Sequence, residues 1–139
     1  MATKRCPAMI LALLLASACV PAMAAGRWVA ESQTPTLRQQ GLRYTSDTLS
    51  PKGDTPLAGT SISRVEWHYD FAGWRPRALK VRLCGGGRCI DAAQARGQSM
   101  AFEGLPVATG FRFEFLIDGP RTTRAPLEGK ELTLMVNFR

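Results

Sequence analysis

The chain is poor in the residues that most often carry chemistry. His68 is its one histidine, and four cysteines are spread over 139 residues. Structural zinc takes four Cys, His or carboxylate ligands, and catalytic zinc takes three and a water. His68 with Cys84 and Cys89, the two cysteines outside the first 24 residues, falls short of the four ligands of a structural site and leaves no ligand to spare for a catalytic one, so zinc is not expected. A hydrolytic triad needs its histidine beside a serine and a carboxylate. His68 instead lies on the polar side of an alternating stretch that also holds its nearest serines, Ser61 and Ser63. No nucleophile-elbow pattern surrounds any serine. Gly85-Gly86-Gly87 lacks the lysine and the following helix of a phosphate loop. Glu66, Asp70, Glu114 and Asp118 are the carboxylates a glycosidase pair would need, yet each simply alternates with apolar residues, as a solvated strand face does. The sequence therefore reads as non-enzymatic, with no cofactor and no metal. Helical periodicity is missing beyond residue 25, which points to an all-β chain. Acidic residues are scarce too, 11 against 18 lysines and arginines.

What the chain does have begins with an export leader. Lys4 and Arg5 form a basic start, Leu11, Leu13, Leu14 and Leu15 centre a short apolar stretch, and Ala22-Met23-Ala24 is a small-x-small cleavage site. The stretch is too short to span a bilayer stably, and no other segment approaches that length. Residues 1–24 are thus expected to be a cleaved secretory signal, and 25–139 one exported domain. A rival pattern, Leu15-Ala16-Ser17-Ala18-Cys19, loosely matches a lipoprotein box with Cys19 acylated, but Ala16 stands where leucine or valine is usual. Removing the leader takes two basic residues and no acidic ones, leaving a net charge of +5. The arginines are scattered rather than clustered, as on solvated faces, and the export address argues against nucleic acid.

Short alternating runs then recur between Gly, Pro, Asp and Ser breakers. Strands are expected at 28–32, weakly at 42–44, most clearly at 61–71, at 79–83, at 99–102, at 111–117 and at 132–138. The stretch 50–56 is a loop by composition. Seven or eight short strands in about 115 residues suggest an antiparallel β-sandwich, immunoglobulin-like in style, with a small barrel as the other solution. Val65, Trp67, Tyr69, Phe71, Leu79, Val81, Leu83, Phe111, Phe113, Phe115, Leu132, Leu134, Val136 and Phe138 form the expected core. Each contributes roughly 1.5–3 kcal/mol when fully buried.

The run Leu83-Cys84-Gly85-Gly86-Gly87-Arg88-Cys89 reads as a hairpin, its glycines supplying the positive φ of a tight turn. Cys84 and Cys89 then face each other within disulfide reach, which implies an oxidising compartment. Cys84 shares its parity with Lys80 and Arg82, so it is expected on the solvent side. The spacing is Cys-x4-Cys and no helix start lowers a thiol pKa, which favours a local staple over a redox pair. Trp74-Arg75-Pro76-Arg77 forms a turn with the composition of an interface anchor, making Trp74, Arg75 and Arg77 the candidate partner-binding residues; the bland alternative is that Trp74 caps the sandwich. An open sheet edge is the second way such a fold binds. Trp28 or Trp74 stacking on a sugar ring would make a carbohydrate-binding module.

Several of these residues resemble the flagellar protein FlhE family. The resemblance is carried by Val65-Glu66-Trp67-His68-Tyr69, Leu79-Lys80-Val81-Arg82-Leu83-Cys84 with Arg88-Cys89, Phe102-Glu103-Gly104, Arg112-Phe113 and the closing Val136-Asn137-Phe138-Arg139. It implies a small periplasmic β-sandwich of a flagellated Gram-negative bacterium that binds flagellar rod, hook or export-apparatus proteins. Such proteins are associated with limiting proton leak through the flagellar type III export apparatus, and with a chaperone-like restraint on periplasmic flagellar assembly. No catalytic residue is carried over.

Overall fold

In a computed structural model of the chain, residues 25–53 and 60–139 are described. The expected leader and part of the 50–56 loop lie outside them. The elements are β1 (Gly26–Gln33), β2 (Leu37–Gln40), β3 (Arg43–Thr45), β4 (Ile62–Ala72), β5 (Leu79–Gly85), β6 (Arg88–Asp91), β7 (Arg96–Ser99), β8 (Phe111–Ile117) and β9 (Thr122–Phe138). They form two antiparallel sheets. One runs β1-β9-β4-β7, with β2 paired to the first part of β9, and the other runs β3-β8-β5-β6. The sheets stay separate, so the fold is the sandwich and not the barrel.

Alternation explains the core. Successive strand side chains point to opposite faces, so Val65, Trp67, Tyr69 and Phe71 of β4 enter the space between the sheets with Phe111, Phe113, Phe115 and Ile117 of β8. Leu132, Leu134, Val136 and Phe138 of β9 join them, and of the expected core only Leu79 is half-buried. Tyr69 stands edge-on to Phe115 at 5.4 Å and Phe102 edge-on to Phe111 at 5.0 Å, the orientation that ring quadrupoles favour.

Four details differ from expectation. The weak strand at 42–44 is two short strands, β2 and β3, reversing at Gly41, where φ is 76°. The Tyr44 hydroxyl accepts the N–H groups of Arg38 and Gln39 at 3.1 and 3.0 Å, satisfying donors freed where β2 slips register on β9. β7 precedes the expected 99–102, because that stretch turns over the core through Phe102. β9 extends back to Thr122, through Pro126 and Gly129. A side chain at Gly129 would sit 1.7 Å from the Thr34 carbonyl oxygen, so backbone crosses backbone there and only glycine fits. Finally, Cys84 is buried. It does lie on the outer face of β5, between Cys89 of β6 and Arg112 of β8. Its own bridge and these neighbours cover it.

Candidate binding surface

β4 ends at Ala72 and β5 begins at Leu79, and the intervening turn opens at Gly73, where φ is 95°. Trp74 projects from it and is 96% exposed. The capping alternative is therefore overturned: this indole touches no core. Arg77 is exposed and has no ion-pair partner among the described residues.

The turn rests on a pinned support. The Trp67 indole N–H donates to the Gln94 carbonyl at 2.9 Å, and the Tyr69 hydroxyl is shared between the carbonyls of Ala92 and Ala93 at 2.7 and 2.9 Å. Two buried rings of β4 thus fix the 92–94 loop. Arg75 leans back onto that loop. Its guanidinium donates to the Ala93 carbonyl at 3.4 Å and lies 6.0 Å from the centre of the Tyr69 ring. Burial pushes the Tyr69 hydroxyl up from 10.0 to about 12, while the Arg75 charge beside it pulls the other way. Of the three candidates, Trp74 and Arg77 are free for a partner and Arg75 positions the turn. Nothing in the local sequence signals that division, because it depends on Ala93 and Tyr69.

The carboxylates are not gathered. Glu66 and Asp70 lie on the outer face of the first sheet, Glu114 and Asp118 in or beside the second. Glu114 is held by Arg82 at 2.5 Å and Asp118 by Lys80 at 3.1 Å. Asn137 donates to Glu66 at 3.1 Å. Cys84, Cys89 and Glu114 do bring potential ligand atoms within 4.8 Å of one another. The two sulfurs are bonded to each other, so neither offers a thiolate to a metal. His68 sits between Thr133 of β9 and Arg96 of β7 on the outer face of the first sheet. Trp28 is buried with its indole N–H on the Val107 carbonyl at 2.8 Å, which removes it as a sugar platform.

A family model described as "Flagellar protein FlhE" matches residues 34–139. The chain belongs to the flagellar protein FlhE family. It is 33% identical over 130 residues to the flagellar protein FlhE of Escherichia coli (strain K12), covering 94% of this chain and 98% of that one. Its identity to the flagellar protein FlhE of Salmonella typhimurium is 30% over 129 residues, covering 93% of this chain and 97% of the other. A crystal structure of FLHE superposes with a TM-score of 0.73 at 26% identity, covering 83% of this chain and 97% of that one. The FlhE match reaches further than the motifs between Val65 and Arg139 that first suggested it, taking in β2 and β3. Among the described residues, no helix of this FlhE-family chain is long and apolar enough to cross a membrane.

Proposed function

We propose that this chain is a non-enzymatic periplasmic accessory protein of the flagellum, exported by a cleaved leader at residues 1–24, whose single domain at 25–139 binds rod, hook or export-apparatus proteins. On this reading it acts like a chaperone, restraining flagellar assembly in the periplasm or limiting proton leak through the type III export apparatus. Trp74 carries the proposal. An indole left 96% exposed on a turn backed by an anchored loop is unexplained by folding, and tryptophan beside arginine is the pairing that dominates protein interfaces. The disulfide fits an oxidising compartment, and family membership supplies the flagellar context.

The experiment is affinity capture from periplasm with the protein as bait and mass spectrometry of what is retained. Rod, hook or export subunits held by the wild type and lost with Trp74→Ala support the proposal. Arg77→Ala is expected to weaken capture, and Arg75→Ala to weaken it indirectly by freeing the turn. Retention of no flagellar protein overturns it. The second reading, carbohydrate or cell-wall binding, now rests on Trp74 alone, since Trp28 is buried. A glycan titration that quenches tryptophan fluorescence in the wild type but not in Trp74→Ala favours that reading instead.

A further inference from the structure

Strand β1 is an edge strand: its partner among the described residues is β9 and no other. The direction of its backbone groups follows from the register. Thr34 N–H donates to the Lys130 carbonyl at 2.7 Å, continuing the β1–β9 pairing by one step. On the other side of β9, Arg139 and Ser61 exchange backbone hydrogen bonds in both directions. Even-numbered residues of β1 therefore bond to β9, and Arg27, Val29, Glu31 and Gln33 turn their N–H and C=O groups to the free edge. Such a row of unpaired groups is a template for another strand.

The side chains of the same residues say which strand. Arg27, Val29 and Glu31 stand on the outer face and are exposed, whereas Trp28 and Ala30 are buried. Val29, at 42% exposure, is one of three large apolar side chains that are exposed among the described residues. Neither Arg27 nor Glu31 has an ion-pair partner among them. A basic, an apolar and an acidic residue at alternate positions form a pattern that is its own complement when reversed.

We propose that β1 pairs antiparallel with β1 of a second copy of this chain, the two-fold axis passing through Val29. Arg27 then faces Glu31 of the second copy, Val29 faces Val29, and Glu31 faces Arg27. These residues also carry the free backbone groups, so one register satisfies both side chains and hydrogen bonds. A slip of two residues leaves both charges without opposites. A slip of four sets Arg27 against Arg27 or Glu31 against Glu31. The first sheet becomes continuous across two copies through a self-complementary contact. One added strand is a small interface, so the dimer depends on protein concentration.

The test is sedimentation equilibrium of the protein, purified as its host processes it, from micromolar to near-millimolar concentration. The wild type is expected to dimerise. Arg27→Glu and Glu31→Arg each place like charges opposite one another and are expected to weaken dimerisation about tenfold or more. Mixing these two variants is expected to restore association, since each presents the charge the other lacks, and the double swap is expected to dimerise as the wild type does. Val29→Pro removes an N–H that the β1–β9 ladder does not use, and is expected to keep the fold, by circular dichroism, while abolishing the dimer. A wild type that stays monomeric throughout overturns the proposal. So does dimerisation that neither single charge variant weakens.

Discussion

The two ends of β5 are built on opposite plans. At its C-terminal end the chain reverses through Gly86 and Gly87, with φ of 58° and 77°, the signs a two-residue type I′ hairpin requires. Gly85 before them lies flat under Phe111, and the Cys84–Cys89 bond crosses just below the turn, with 4.1 Å between α-carbons. Every residue there is accounted for by folding. At the N-terminal end the 73–78 turn leans on the 92–94 loop through Arg75, and Trp74 leads away from everything. One end is spent on stability, and the other keeps a large apolar side chain in water. That asymmetry is why the proposed partner site is set at the N-terminal end of β5.

The hardest way to break the comparison is to fill the space at Gly85. A side chain there would begin 2.4 Å from the Phe111 ring, so Gly85→Val is expected to lower stability by about 3 kcal/mol or more in urea unfolding. The same substitution at Gly73, where a side chain meets nothing within 4 Å, suffers only its backbone strain, φ being 95°, and is expected to cost about 1–3 kcal/mol. Near-equal losses at the two sites would erase the contrast.

Alkali tests the support under the Trp74 turn. The Tyr69 hydroxyl is raised from 10.0 to about 12 by burial. Below pH 10 it is protonated in both folded and unfolded chains, and its contribution is intact. Above pH 10 the unfolded chain releases this proton and the folded chain holds it, so stability falls as the pH climbs from 10 towards 12. The loss across that window is expected to be roughly 2–3 kcal/mol. Tyr69→Phe is expected to be less stable at neutral pH, taking the hydroxyl donor from the Ala92 and Ala93 carbonyls and leaving Ala93 only the longer bond from Arg75, and to have a flatter alkaline limb. An unchanged limb in unfolding curves taken at stepped pH would show that Tyr69 does not hold the loop in this way.

The staple is the next smaller effect. It closes a ring of residues only five apart in sequence, for which loop entropy gives about 2 kcal/mol. Cys84→Ala with Cys89→Ala is expected to lower the unfolding free energy by that amount while leaving the hairpin in place, because Gly85, Gly86 and Gly87 still dictate it. Partner capture at the far end of β5 should be untouched. If reduction abolishes capture, the two ends of β5 are coupled and do not act separately.

How much of this was legible in the sequence depends on how local its cause is. β4 and β8 announce themselves because each buries one face, and alternation records that directly. The hairpin is legible because three glycines and two cysteines fall within six positions. The first half of β9 is not, since Pro126 and Gly129 interrupt its pattern, and the reason for Gly129 is a carbonyl of Thr34 far away in the chain. Parity put Cys84 on the correct face and still gave the wrong exposure, because what covers it is its own bridge with residues of β6 and β8. For the binding surface, composition singled out Trp74, Arg75 and Arg77 together. Only the fold separates the arginine that holds the turn from the residues left free, and only the register of β9 reveals which backbone groups of β1 lack partners.

Trp74→Ala is expected to move stability least and binding most. A side chain that is 96% exposed makes no core contact to lose, so its removal should stay within about 0.5 kcal/mol of wild type. Gly73 and Pro76 keep the turn, and Arg75 keeps its hold on Ala93. Truncating an indole at the centre of an interface, in contrast, typically costs about 2 kcal/mol or more of binding energy. Measured side by side, unfolding curves that overlay and a capture experiment that fails would show a residue retained for its partner alone. A stability loss comparable to that of Gly85→Val would mean that Trp74 is covered in the folded chain after all, and the two ends of β5 would no longer differ in kind.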